Sequence, residues 1–104
     1  MLVTRNQSTR RSAEAVKLWN YLTAESGTSI SIAYAELYGK HPESVSYKTD
    51  RCYIFVSGRA SMYVDGKRYY AFPGDMVYVG RGKQHSFEGQ ATYYVINNPP
   101  YQRN

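Results

Sequence analysis

An all-β sandwich or barrel is the fold class this sequence predicts, and three observations predict it. Short runs rich in β-branched and aromatic residues recur from residue 30 to residue 97. Turn residues separate them at close, regular intervals, and no helices stand between them to build parallel βαβ units. The strongest compositional bias is 12 tyrosines against 3 phenylalanines. Tyrosine has high strand propensity and buries a ring while its hydroxyl keeps a partner.

The elements follow in order. Residues 1–11 are polar and basic, carry Arg5, Arg10 and Arg11, and show no periodicity, so a flexible tail is expected there. Ser12 suits a helix N-cap, with Glu14 in the first turn and Ala15, Val16, Trp19 and Leu22 on one face. Residues 18–22 read equally well as a strand, so this segment is a short N-terminal helix or an extended arm that ends at Gly27. Strand runs are expected at 30–37, 47–57, 60–64, 67–71, 76–79, 85–88 and 92–97. The turns between them carry Gly39-Lys40-His41-Pro42, Ser57-Gly58, Pro73-Gly74, Gly80-Arg81-Gly82 and Gly89-Gln90. Asp65-Gly66, between Val64 and Lys67, is a two-residue hairpin of the type I′ class, which needs positive φ at both positions. Pro99-Pro100 stops the last strand, because proline cannot donate to a ladder.

Length and composition bound the rest. The 104 residues suffice for one domain, here 12–104, with a modest core. One cysteine, Cys52, excludes an intrachain disulfide and a zinc ribbon. No run approaches the roughly 20 apolar residues of a membrane span, and no cleavable leader is seen, so a cytoplasmic protein without a membrane partner is expected. Net charge is +5, which serves either to attract an anionic partner or simply to solvate the surface. No recognisable nucleic-acid motif accompanies the charge, so nucleic acid is not expected as a partner.

One stretch is more specific. Gly74, five residues, Gly80, one residue, Gly82, two residues, His85, three residues and Gly89 reproduce a spaced pattern. It resembles the second motif of the cupin superfamily, G-x5-P-x-G-x2-H-x3-N, with Gly80 and Gly89 in the proline and asparagine positions. Gly39 and Gly58 bracket the spacing of the first cupin motif, G-x5-H-x-H-x3-E-x6-G, but its ligand positions hold Val45, Tyr47 and Arg51. The resemblance spans roughly residues 17–104 and includes the ends of small single-domain cupins at Asn98-Pro99-Pro100-Tyr101. It implies a jelly-roll β-barrel of six to eight strands with a central site, commonly paired as a dimer. A dimer is expected here, with the N-terminal segment and its Leu18, Trp19 and Leu22 beside the partner.

Alternation then assigns the pocket. If Tyr47 points inward, so do Val45, Thr49, Arg51, Tyr53 and Phe55, while Cys52 points away. His85 enters from a neighbouring strand, followed by Phe87. A metal needs three suitable ligands, and valine and arginine supply none, so no metal or other cofactor is expected. His85 is a general acid/base or a pocket histidine bonded to a tyrosine hydroxyl. Arg51 is either the clamp for a carboxylate or phosphate, or the partner of Glu36 or Asp50 in an internal ion pair. Tyr47 and Tyr53 are candidate catalytic donors, and Tyr34, Phe55 and Phe87 candidate ligand-lining residues.

Two functions fit these residues. One is a metal-independent cupin enzyme on a small anionic molecule, of isomerase, lyase or cyclase type, which removes a proton beside a carbonyl and holds the enolate. The other is a non-catalytic small-molecule-binding or accessory module, since fold does not fix function. A metal-dependent enzyme with atypical ligands, such as Tyr47 or Glu36, is a further alternative.

Overall fold

The computed structural model describes residues 1–102. Seven antiparallel strands form its sheet: β1 (Thr9–Ala13), β2 (Val16–Leu22), β3 (Ser31–Val45), β4 (Asp50–Val64), β5 (Lys67–Ala71), β6 (Met76–Val79) and β7 (Gln84–Asn98). They lie in the order β1-β2-β3-β7-β4-β5, and β6 pairs with the first part of β4. The architecture is the all-β jelly roll expected.

Three strands are 15 residues long, longer than expected, because three presumed turns are bends inside continuous strands. Gly39 in β3, Gly58 in β4 and Gly89 in β7 take φ of +111°, +71° and +145°, and the ladder runs through them. Gly39 pairs with Gly89, which pairs on its other side with Ala60, so the bends line up across the sheet. At two of them a side chain has no room: a Cβ at Gly58 would lie 2.1 Å from the Gln90 carbonyl oxygen, and one at Gly89 2.5 Å from that of Arg59. Glycine lets the three backbones approach and turn together. The sheet thereby folds over itself and encloses Leu37, Phe55, Met62, Phe87, Tyr93 and Val95.

The N-terminal segment is a hairpin, not a helix. β1 pairs with β2, joined through Ala15 at φ +63°, and β2 pairs with β3. The apolar set that matched a helical face also contains a period of two, in which Val16 and Leu18 pack on the core while Trp19 meets Tyr34 on the outside. Pairing with β3 satisfies the backbone of this segment along its length, which a lone short helix could not match. Residues 1–11 hold a short 3-10 turn, Arg5–Gln7, and the beginning of β1. Arg5 donates from Nε to the Tyr21 hydroxyl at 2.6 Å, with its guanidinium 4.9 Å from the Trp19 ring centre. Asp65-Gly66 forms the expected hairpin, with φ of +53° and +85°. No helix among the described residues is long and apolar enough to cross a membrane.

Candidate functional site

The inner face of the first half of the sheet carries polar residues in a register that explains their contacts. Ser31, Asn97 and Arg51 stand side by side across β3, β7 and β4. Asn97 Nδ2 donates to Ser31 Oγ at 3.0 Å, and Arg51 Nε donates to Asn97 Oδ1 at 2.7 Å. Tyr53, two residues on from Arg51, faces the same way, and its hydroxyl accepts from Arg51 Nη1 at 3.0 Å. Cys52 between them faces outward, as expected from alternation, and is half-buried.

His85 closes the chain of bonds. It is not a ladder neighbour of Tyr53, whose partners are Val77 and Val95; His85 pairs with Ser44 and Val64 in the other half of the sheet. The fold at the glycine bends brings the two face to face across the interior, with Tyr53 Oη 3.1 Å from His85 Nε2. His85 Nδ1 lies 3.5 Å from the Lys83 carbonyl oxygen. One proton arrangement satisfies every partner: Arg51 donates to Tyr53, Tyr53 to His85 Nε2, and His85 Nδ1 toward Lys83.

The electrostatics follow from burial. His85 and Tyr53 are each 2% exposed. Desolvation, then the Arg51 cation, push His85 down to about 4, so its imidazole is neutral at neutral pH. Burial raises Tyr53, partly offset by Arg51, and it stays a phenol. Burial likewise raises Tyr93, which packs edge-on to Tyr53 with ring centres 5.4 Å apart.

Arg51 has no carboxylate partner among the described residues. Asp50 instead pairs with Arg81, whose backbone N–H bonds Asp50 Oδ1 at 3.0 Å and holds its carboxyl below the usual range. Glu36 is exposed and lies opposite Lys17 on the other face of the sheet. Among the described residues the Arg51 guanidinium bonds two neutral oxygens, and it sits half-buried, 4.9 Å from the ring centre of Tyr101. Tyr101 is held by its backbone N–H to Ser31 Oγ at 2.9 Å, and Thr49 donates to the Pro99 carbonyl. The C-terminal segment thus crosses the sheet end beside Arg51.

Tyr47 does not join this group; it is 65% exposed. A bulge between His41 and Ser44 is the cause. It shifts the register so that Ser44 pairs with inward-facing His85 and Val45 with exposed Gln84. Ser46 is consequently buried, with its hydroxyl lacking a hydrogen-bond partner, and Tyr47 faces out. Alternation resumes its expected phase only at Thr49, after the break between β3 and β4. Tyr34 also lies outside, between Trp19 and Tyr94. Phe55 and Phe87 are inside as expected but serve as core: Phe55 packs on Tyr93, and Phe87 stacks on His41 with ring centres 4.8 Å apart. Asn97, Ser31 and Tyr101 were missed by the sequence reading. Asn97 and Ser31 share the parity of their buried strand neighbours Val95 and Ala33, and that signal could have found them.

The donor set does not suit a divalent ion. Among the described residues no three His, Cys, Asp or Glu side chains converge. The Nε2 of His85 is bonded to Tyr53, and the adjacent charge is a guanidinium. Two cavities lie elsewhere. A wide groove of about 1320 Å³ at the glycine bends is walled by residues such as Tyr38, Arg59, Phe72 and Gln90. A smaller one of about 290 Å³ touches His85 and Phe87 but has Lys40, Tyr63, Gln84 and Ser86 around it. Gln84 and Ser86 flank His85 on β7 with opposite parity, so this cavity opens on the outer face.

No family model and no curated protein matches the chain by sequence. Solved structures do match its fold. The Streptomyces nucleoside dehydratase Pac13 superposes with a TM-score of 0.87 at 18% identity, covering 98% of this chain and 84% of the dehydratase. Variants of it with a histidine or tyrosine replaced have been solved with uridine. Ectoine synthase from P. lautus gives 0.87 at 14% identity, covering 98% and 80% of the two chains. KdgF from Halomonas sp. gives 0.82 at 10% identity, covering 98% and 96%. The fold of this chain is the cupin jelly roll.

Proposed function

We propose that this protein is a metal-independent cupin enzyme that holds a small anionic substrate on Arg51 and moves a proton through Tyr53 and His85. The observation that carries the reading is the bonded series Arg51–Tyr53–His85, headed by a guanidinium without a carboxylate partner among the described residues. Enzymes among the similar folds, a nucleoside dehydratase and ectoine synthase, support a catalytic use of the barrel. An anion on Arg51 lies next to the Tyr53 hydroxyl, which makes tyrosine the group nearest the reacting atoms. As Tyr53 Oη accepts a proton from the carbon beside a substrate carbonyl, its own proton passes to His85 Nε2. Arg51 then faces the enolate charge that develops. The anion also offsets the cation that depresses His85, so binding makes the histidine a stronger base. The reaction class is an elimination or isomerisation through an enolate.

A binding module is the second reading, favoured by His85 and Tyr53 satisfying each other out of contact with solvent. A thermal-shift screen of small carboxylates, phosphates and keto acids, followed by NMR of each hit for turnover, separates the two. Tyr53→Phe is expected to keep ligand affinity and lower turnover about 100-fold. Hits that bind wild type but are never converted would leave the binding module.

A further inference from the structure

The outer face of the sheet holds an aromatic cage with a cation already in it. The guanidinium carbon of Arg5 lies 4.7 Å from the ring centre of Tyr34, 4.9 Å from that of Trp19 and 5.9 Å from that of Tyr21. Strand register builds two of the walls. Trp19 on β2 and Tyr34 on β3 are ladder partners with ring centres 5.8 Å apart, and Tyr94 on β7 backs Tyr34 at 5.3 Å. A β-bulge builds the third wall. Tyr21 is the unpaired residue where β2 shifts register against β3, and its ring meets Arg5 from the same side as Trp19. Bulges re-aim side chains in this way beside functional sites. The Tyr21 hydroxyl completes the cage by accepting from Arg5 Nε. No carboxylate pairs with Arg5 among the described residues, so ring faces and one neutral oxygen hold its charge.

We propose that this cage is a binding site for a small, weakly hydrated organic cation, a guanidinium or quaternary ammonium, and that Arg5 fills it until the ligand arrives. The walls fit that class. Ring faces attract a cation through their quadrupoles but replace little of its water, which favours these groups over a strongly hydrated ammonium or metal ion. Arg10, 5.2 Å from the same Trp19 ring centre, adds a neighbouring positive charge and makes a monovalent cation the better guest. The attachment of Arg5 is that of a displaceable group. Among the described residues, the other hydrogen bonds of residues 1–8 stay within that segment, between Thr4 and Gln7 and between Ser8 and Arg5. The hydrogen-bonded anchor of this segment to the sheet ahead of β1 is therefore the caged side chain itself. The three rings lie on the opposite face of the sheet from Arg51, Tyr53 and His85, so the site does not depend on the chemistry proposed for the interior.

Trp19 is the only tryptophan, so its fluorescence reads the cage directly. Wild type and Arg5→Ala are titrated with tetramethylammonium chloride and with guanidinium chloride below about 100 mM, far under denaturing concentrations. Potassium chloride at equal ionic strength is the control. Arg5→Ala is expected to show a saturable change that potassium does not produce. Its midpoint should lie about tenfold below that of wild type, the factor set by an occupant that fills the cage about nine-tenths of the time. Adding Tyr34→Leu or Tyr21→Leu to Arg5→Ala should abolish saturation with circular dichroism unchanged. In wild type, tetramethylammonium should also speed tryptic cleavage after Arg5, read by mass spectrometry, because displacement frees that side chain. No saturable response in Arg5→Ala overturns the proposal, as does a response that both leucine substitutions leave intact. Equal midpoints in wild type and Arg5→Ala, with cleavage unaffected, overturn it too and leave Arg5 a fixed strut.

Discussion

Arg51→Ala is expected to weaken binding of a small carboxylate or phosphate ligand by about 2–5 kcal/mol while leaving the barrel folded. The loss includes the cost of an anion left without its charge-assisted bonds, and titration calorimetry on any ligand found by screening measures it. The fold should tolerate the change. Asn97 keeps its bond to Ser31, Tyr53 keeps His85, and Arg51 is itself only half-buried, so water can replace it. Two charge-assisted hydrogen bonds from a guanidinium contribute about 1.5–3 kcal/mol each where dry, and less here because the guanidinium is only half-buried. Arg51→Lys is expected to restore charge but not affinity in full, because an ammonium cannot bond Asn97 and Tyr53 and still offer a fork to the ligand. Equal affinity in wild type and Arg51→Ala would make Arg51 a structural bridge between β4 and β7, and the assignment of the anion site would be wrong.

That assignment depends on strand phase, and phase shows where a sequence is readable. Local turn chemistry located the hairpin at Asp65-Gly66 and the end of β7, because those backbone conformations depend on the residues themselves. Motif spacing located Arg51 and His85, and alternation from Arg51 correctly put Tyr53 inside and Cys52 outside. Alternation failed at Tyr47 because the bulge at residues 42–43 inserts a phase change that no residue type announces. Gly39, Gly58 and Gly89 were visible as breaks, but a glycine that ends a strand and one that bends it look alike from sequence. Only the pairing of Gly39 with Gly89, and of Gly89 with Ala60, distinguishes them. Asn97 and Ser31 went unseen for a similar reason: Asn97 meets its partners Arg51 and Ser31 across sequence separations of 46 and 66 residues, each on a different strand.

Protein stability should fall by about 3 kcal/mol as pH drops from about 6.5 to about 4, chiefly through His85. Its imidazole has a value of about 4 when folded against an ordinary 6.5, because burial and Arg51 both disfavour the charged ring. Between those values the unfolded chain binds a proton at this position that the native protein does not. Stability contributed by the neutral ring is therefore complete above about pH 6.5 and is lost as pH falls toward 4. Asp50 works in a separate window. Its carboxyl, lowered from 3.8 by the Arg81 backbone N–H and guanidinium, gives up its stabilisation only at more acid pH. Denaturant unfolding at half-unit steps from pH 7.5 to 4 measures the slope for wild type, His85→Gln and Arg51→Ala. Glutamine keeps an acceptor for Tyr53 without titrating, so the slope across this window should flatten in His85→Gln. Arg51→Ala removes one of the two main causes of the shift and should flatten it in part, with a folded-state value above 4. If His85→Gln kept the wild-type slope, the proton taken up on acid unfolding would belong to another group. Tyr53 would then rest against a histidine that is already charged at mild acidity, and the proton path drawn from Tyr53 to a neutral His85 would fail with it.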